Sequence, residues 1–143
     1  MLRKALMLCC EIHKDQVDKG GAPYYMHPIT VALKMETEEQ KIVALLHDVV
    51  EDSDTTLDDL RSMGFSDRIV DAVNAVTKKD GESYGVYLKK IKENDLAKAV
   101  KLGDLEHNSD LSRLNRVPTE KDYKRVYRYQ KAKEYLLGLR NFG

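Results

Sequence analysis

The sequence predicts an all-α fold, a helical bundle in a single domain that spans residues 1–143. Apolar residues recur at helical spacing in most segments, and several of these segments begin with a residue that commonly caps helices. No segment alternates between apolar and polar residues as a half-buried strand does. A chain of this length can also bury a core without disulfides.

Three helices are expected in the N-terminal half. The first runs from residue 2 to about residue 17 and ends before a loop with two glycines and a proline. The second begins near Pro28, because proline is well tolerated in the first turn of a helix. The third begins at a capping box on Thr37 and continues to residue 52. It is apolar nearly all round, which predicts a central place in the core.

The C-terminal half should hold five more helices. Thr56 and Ser66 each precede an apolar helical pattern and are typical N-terminal caps. Gly64 ends the first of these patterns, and a charged loop follows the second. The five expected segments are 56–64, 66–76, 84–92, 95–105 and 119–139.

Composition narrows the classes of function. Basic and acidic residues balance at 24 each, so no overall field attracts nucleic acid or an anionic membrane. Cys9 and Cys10 are neighbours on the first predicted helix and point to different faces, which indicates reduced thiols and a cytoplasmic location. No apolar run approaches the roughly 18 residues of a membrane-spanning helix. We expect a cytoplasmic protein with a small-molecule partner, while its oligomeric state stays open.

An imidazole and a carboxylate interrupt the apolar run of the third predicted helix. His47 and Asp48 lie between Leu46 and Val49, so the flanking apolar residues would draw both polar groups into the core. Ionised groups are rarely buried without a partner or a metal. We therefore interpret His47 and Asp48 as two ligands of a divalent cation.

Helical spacing brings two more acids to the same place. At about 100° per residue, Glu51 returns to the face of His47 and Asp52 returns to the face of Asp48. Asp52 alone would be interpreted as a solvated acid at a helix end. Near His47 and Asp48, the two carboxylates face the expected cation.

Other histidines and acids carry weaker signals. His27 lies at a helix start and Asp104 ends an apolar helical stripe, and each alone would be a weak candidate ligand. His13 lies on or beside the apolar face of the first helix. A packing role, or a supporting role beside the site, is commoner for such a histidine than direct ligation.

Together and in order, these motifs resemble a known family. The residues that carry the likeness are His27-Pro28-Ile29-x-Val31-Ala32, His47-Asp48-Val49-Val50-Glu51-Asp52 and Val100-Lys101-Leu102-x-Asp104 with His107-Asn108. They are similar to motifs in the hydrolase domain of RelA/SpoT-type alarmone enzymes, a member of the HD-domain metal-dependent phosphohydrolases. The likeness extends from near His13 to about Leu114, and it is to the small, stand-alone hydrolases.

The resemblance implies a metal centre and a reaction. It makes His27, His47, Asp48 and Asp104 the ligands of one divalent ion, usually manganese. Nitrogen and oxygen ligands suit manganese or iron, and their spacing alone leaves zinc and magnesium open. The implied reaction removes the 3′-pyrophosphate from (p)ppGpp-like guanosine nucleotides.

The resemblance also assigns roles around the metal. Glu51 and Asp52 match the acidic pair that positions and deprotonates the attacking water. Lys19, Tyr24 and Asn108 match substrate-binding positions. A solvated loop lysine and a packed tyrosine are equally good interpretations of Lys19 and Tyr24, and an asparagine after a helix is ordinarily a cap.

Two departures from the family pattern concern the substrate side. Asp18 stands where the family commonly has an arginine that helps to hold the guanine base, and Leu105-Glu106 stand where it usually has Arg-Leu. We expect two fewer positive and two more negative charges there. These changes favour one alternative, an HD-domain hydrolase of another nucleotide or phosphorylated cofactor. A nucleotide-binding module without turnover is a further alternative, against which the acidic pair Glu51 and Asp52 argues.

Overall fold

A computed structural model describes residues 1–141, and all regular elements in that range are helical. The all-α prediction is confirmed. The bounds of the single domain, 1–143, stay a prediction, and residues 142–143 lie outside the described range. In chain order the helices are α1 (Leu2–Ile12), α2 (Met26–Leu33), α3 (Glu38–Leu46), α4 (Val49–Asp52), α5 (Leu57–Ser62), α6 (Asp67–Val76), α7 (Tyr84–Lys92), α8 (Asp95–Asn108) and α9 (Glu120–Leu136), with a 3-10 turn (Leu111–Arg113) before α9.

Helix α3 lies at the centre of the bundle, as predicted. It packs against α1, α2, α6 and α8, and residues 42–46 are all buried. The chain leaves α3 inside the core, so the polar pair that follows, His47 and Asp48, begins among apolar side chains.

The capping predictions are confirmed. Thr37 forms a capping box with Gln40, and Thr56 forms one with Asp59. The Ser66 hydroxyl accepts a hydrogen bond from a backbone N–H in the first turn of α6. Each cap satisfies N–H groups that a helix leaves without partners at its start.

The first helix is shorter than predicted: it ends at Ile12 rather than near Val17. The carbonyl of Gln16 accepts a hydrogen bond from the backbone N–H of Tyr24 at 2.7 Å, and Val17 forms an isolated bridge with Pro23. These contacts fold residues 16–24 into a closed loop, which competes with a further turn of helix.

The third predicted helix is interrupted where its polar pair lies. Helix α3 ends at Leu46 and α4 begins at Val49, so the prediction of one continuous helix to Asp52 is wrong. His47 Nδ1 donates to the carbonyl oxygen of Ala44 at 2.5 Å, and Asp48 adopts φ −108° and ψ 0°. A side-chain donor thus competes for a carbonyl of the last helical turn.

The last two long helices also differ from their predicted bounds. Helix α8 continues to Asn108 rather than ending at Leu105, and α9 ends at Leu136 rather than at Leu139. Helix α8 approaches α2 closely at Gly103, where a Cβ atom would lie 3.2 Å from Cγ1 of Val31. The start of α2 also lies next to the end of α8, because His27 contacts Asp104 and His107.

No helix within residues 1–141 combines the length and the apolar character that crossing a membrane requires.

Truncation of Leu46 to alanine should lower the free energy of unfolding by about 2–5 kcal/mol, because a buried leucine leaves a cavity behind. Leu33 on α2 is 77% exposed, so Leu33→Ala is a matched control that should change stability by less than about 0.5 kcal/mol. Urea denaturation followed by circular dichroism measures both. Equal losses in the two variants would contradict the central position of α3.

Candidate metal centre

Three buried side chains converge from separate parts of the bundle. His27 lies in the first turn of α2, His47 in the turn between α3 and α4, and Asp104 on α8. One potential ligand atom of each lies within 4.8 Å of those of the other two. All three residues are buried. The fold thus brings together three of the four residues that the sequence predicted as ligands.

His47 presents an unpaired nitrogen to this cluster. In the neutral ring, Nδ1 carries the proton that it donates to Ala44, so Nε2 keeps its lone pair. Nε2 is buried without a hydrogen-bond partner, and it lies 3.1 Å from Asp48 Oδ2 and 3.3 Å from Asp104 Oδ1. A buried polar atom without a partner is rare and costly. Coordination of a cation would satisfy it.

His27 is held between two residues of α8. Its Nε2 lies 2.8 Å from Asp104 Oδ1, and its Nδ1 lies 2.7 Å from His107 Nδ1. The ring planes of His27 and His107 are within 8° of parallel. Both ring nitrogens of His27 therefore have a defined neighbour, which fixes the orientation of the ring.

Asp104 is supported on both of its oxygens. Asn108 Nδ2 donates to Oδ1 at 3.1 Å, and Lys101 Nζ donates to Oδ2 at 3.0 Å. Burial alone would raise the pKa of Asp104, but Lys101 and the two histidines hold it well below its ordinary value. Asp104 is therefore an ionised carboxylate in the core.

The electrostatics of the cluster favour a positive charge at its centre. Burial works against a charged His47, yet Asp48 and Asp104 outweigh burial and raise its pKa. Burial likewise works against an ionised Asp48, but His47 lowers its pKa to about 2. A proton on His47 and a divalent cation would each supply positive charge between the carboxylates of Asp48 and Asp104. Metal binding would therefore displace the proton. The donor set fits a metal ion.

Asp48 is oriented by Tyr24. The Tyr24 hydroxyl donates a hydrogen bond to Asp48 Oδ2, and burial followed by the charge of Asp48 raises the pKa of Tyr24. The tyrosine is thus a neutral donor. The structure places this predicted substrate-binding residue against a predicted metal ligand, and it also lines the neighbouring pocket.

Glu51 and Asp52 contact different neighbours although they are adjacent on α4. Glu51 Oε1 accepts a hydrogen bond from the backbone N–H of Lys78 at 2.6 Å, and burial raises the pKa of Glu51. Asp52 Oδ2 accepts a hydrogen bond from Gln16 Nε2 at 3.2 Å. The fully buried His13 bonds to Gln16 at 2.9 Å, a contact that fits the expected supporting role.

A pocket of about 330 Å³ opens beside the cluster. This size lies within the usual range for small-molecule sites. Its lining includes four residues that the sequence predicted as site residues, Lys19, Tyr24, His27 and Asn108. Asn108 also donates to Asp104, so it connects the pocket to the cluster.

Sequence reasoning missed two cations of this pocket, Arg113 and Arg125. Burial, and then the charge of Arg125, lower the pKa of Lys19. Neighbouring cations repel one another, and an anion that binds between them offsets this repulsion. The signal available in the sequence was a concentration of basic residues after Asn108, but charges on a helix are usually solvated.

The two departures from the family pattern, Asp18 and Leu105-Glu106, differ in their position relative to the pocket. Asp18 lines the pocket, yet its Oδ2 pairs with Arg113 at 3.3 Å. Leu105 is buried in the core, and Glu106 pairs with Lys34 at 2.8 Å and does not line the pocket. The prediction that Glu106 adds negative charge to the substrate side is wrong, because its helical position directs it elsewhere.

Comparisons with known proteins agree with the motifs. No protein-family model matches the chain. It is 40% identical over 81 residues to guanosine-3′,5′-bis(diphosphate) 3′-pyrophosphohydrolase of Aquifex aeolicus, which is 54% of this chain and 12% of that protein. It is 34% identical over 84 residues to the bifunctional (p)ppGpp synthase/hydrolase SpoT of Escherichia coli, which is 55% of this chain and 12% of that protein. The chain therefore matches a small part of each relative.

A solved structure extends the likeness to the fold. It is that of a metazoan ortholog of SpoT that hydrolyzes ppGpp and plays a role in starvation responses. It matches with a TM-score of 0.75 and 25% identity, over 95% of this chain and 84% of that one. In sequence and in fold, this chain is similar to the RelA/SpoT-type hydrolase domains, and it has the helical bundle of HD-domain proteins.

Proposed function

We propose that the chain is a manganese-dependent phosphohydrolase that removes the 3′-pyrophosphate from (p)ppGpp-like guanosine nucleotides. The observation that carries this proposal is the convergence of His27, His47 and Asp104, with a buried and unpaired Nε2 on His47. The names of the similar proteins support the substrate. The free cysteines Cys9 and Cys10 support a cytoplasmic location.

Four residues would hold the ion, namely His27, His47, Asp48 and Asp104. Two imidazoles and two carboxylates form a mixed nitrogen and oxygen set, which suits manganese. When bound, a divalent ion lowers the pKa of its water and offsets charge on phosphoryl oxygens. Tyr24 supports this set by orienting Asp48 through its hydroxyl.

Glu51 is the proposed general base. Its raised pKa, caused mainly by burial, makes its carboxylate a stronger base than that of an exposed glutamate. The backbone N–H of Lys78 bonds Oε1, which leaves Oε2 to accept a proton from the attacking water. Asp52 is held by Gln16 and is the proposed orienting group for that water.

The pocket would bind the rest of the nucleotide. Lys19, Arg113 and Arg125 line it, and their charges complement phosphate groups. Arg113 is held by the carbonyl of His107 at 2.9 Å and by Asp18 at 3.3 Å. These cations line the same pocket as His27, so a polyphosphate could contact them and the metal centre together.

A second candidate is hydrolysis of another nucleotide or phosphorylated cofactor. Asp18 favours it, because this carboxylate occupies a position where the family commonly has an arginine for the guanine base. The carboxylate bonds the N–H groups of Gly20 and Ala22 as well as Arg113. The wall that would face a base therefore differs from the family pattern.

Mn²⁺ should stabilise the protein against thermal unfolding. At a free concentration 100 times the dissociation constant, the expected gain is about 2.7 kcal/mol. His47→Gln should lose most of this gain, because it removes a ligand nitrogen, whereas Glu106→Gln, outside the pocket, should retain it. Differential scanning calorimetry after treatment with a chelator measures the shifts. Equal gains in wild type and His47→Gln would contradict the ligand assignment.

The Mn²⁺-loaded protein should release pyrophosphate from ppGpp. Glu51→Gln should lower kcat by roughly 100- to 10,000-fold, because it removes the general base, while Mn²⁺ still binds. Chromatographic product analysis over a panel of nucleotides measures this. Turnover of another nucleotide without turnover of ppGpp would select the second candidate. Stoichiometric nucleotide binding without any product would contradict the enzyme proposal and favour a binding module.

Lys19→Met should raise KM roughly 10-fold or more with little change in kcat, since a hydrogen bond to a charged group contributes about 1.5–3 kcal/mol. Lys14→Met is the matched control, because Lys14 is exposed, pairs with Glu11 and lies outside the pocket. Steady-state kinetics with ppGpp compares the two. Unchanged KM in Lys19→Met would remove Lys19 from the substrate contacts.

A further inference from the structure

We propose that His107 is a positioning residue, which accepts the Nδ1 proton of His27 and so leaves His27 Nε2 available to ligate a metal ion. This inference rests on the proposed metal site. Its starting point is the 2.7 Å distance between His27 Nδ1 and His107 Nδ1. His107 does not line the pocket, so a direct substrate contact does not explain its position.

A single proton must lie between these two nitrogens. At 2.7 Å, one imidazole donates through N–H and the other accepts with its lone pair. Two lone pairs, or two N–H groups, would repel each other at this distance. The contact therefore has two assignments, and each one fixes the tautomers of both neutral rings.

Metal ligation selects between the two assignments. A histidine nitrogen that binds a metal carries no proton. His27 Nε2 lies 2.8 Å from Asp104 Oδ1, a contact that takes an N–H on Nε2 when no metal is bound, so metal binding displaces that proton. Neutral His27 must then carry its proton on Nδ1 and donate it to His107. His107 accepts through Nδ1 and carries its own proton on Nε2.

The two histidine ligands are supported in parallel ways. His47 Nδ1 donates to the backbone carbonyl of Ala44, and His27 Nδ1 donates to the ring of His107. Partners of this kind orient a metal-binding histidine and increase its basicity. His107 lies one turn after Asp104 on α8, so a single helix supplies both a ligand and the acceptor for another ligand.

The acceptor is itself fixed in place. The backbone carbonyl of His107 accepts a hydrogen bond from Arg113 at 2.9 Å, and the rings of His27 and His107 are nearly parallel. A rigid acceptor maintains the direction of the His27 lone pair. Loss of such a partner typically weakens metal affinity by roughly 10- to 100-fold.

Isothermal titration of the full chain with Mn²⁺ tests the inference. His107→Phe cannot accept a hydrogen bond and should bind Mn²⁺ roughly 10- to 100-fold more weakly. His107→Asn should stay close to wild type, because its Oδ1 can take the place of Nδ1 as acceptor. Glu106→Gln, the preceding residue on α8, is the control and should not change the affinity. If His107→Phe fails to fold, His107→Ala replaces it, with the metal-free melting temperature as the check.

The outcomes separate this inference from the proposed function. Wild-type affinity in His107→Phe or its replacement His107→Ala would overturn the positioning role and leave the metal site standing. Equal losses in His107→Phe and His107→Asn would also overturn it, since an accepting side chain would then have no advantage. A wild-type chain that does not bind Mn²⁺ would overturn the proposed function and this inference together.

Discussion

The structure depends on the burial of two imidazoles and a carboxylate at one point of a helical core. The effective cost of burying an isolated ion is several kcal/mol, so each group needs a compensating partner. Lys101 and Asn108 stabilise the charge of Asp104, and Asp104 with Asp48 stabilises positive charge near His47. Helix α8 contributes most of these partners. Its close packing on α2 at Gly103 is therefore part of the site and not only of the core.

The break between α3 and α4 follows from the same requirement. A continuous helix would commit the carbonyl of Ala44 to a backbone N–H one turn later. His47 Nδ1 instead donates a hydrogen bond to that carbonyl. Asp48 is then the N-cap residue of a new short helix, α4. The loss of helical regularity fixes the tautomer of His47 and turns its Nε2 towards Asp104. The break between α3 and α4 therefore allows a contact between His47 and Asp104, which lie far apart in sequence.

How far the sequence predicted this molecule depends on the range of the interactions. Thr37 and Thr56 cap helices through contacts three residues away, so their signals were sufficient. His47 was found because its apolar neighbours made a buried imidazole unavoidable. Gln16 and Asp52 meet across 36 positions, and nothing local in either segment indicates that contact. Arg125 was missed for a related reason, because a basic residue on a charged helix is indistinguishable from a solvated one until its neighbours are known.

Asp18 shows why the charge of a residue does not by itself describe a pocket. Compared position by position with the family pattern, residue 18 has lost a cation and gained an anion. In the folded chain, its carboxylate accepts hydrogen bonds from two backbone N–H groups and forms an ion pair with Arg113. Its charge is therefore compensated locally, and the guanidinium that compensates it also lines the pocket. The cation beside Asp18 comes from the segment after α8, and under the proposed function the recognition of a nucleotide depends on the geometry of the Asp18–Arg113 pair.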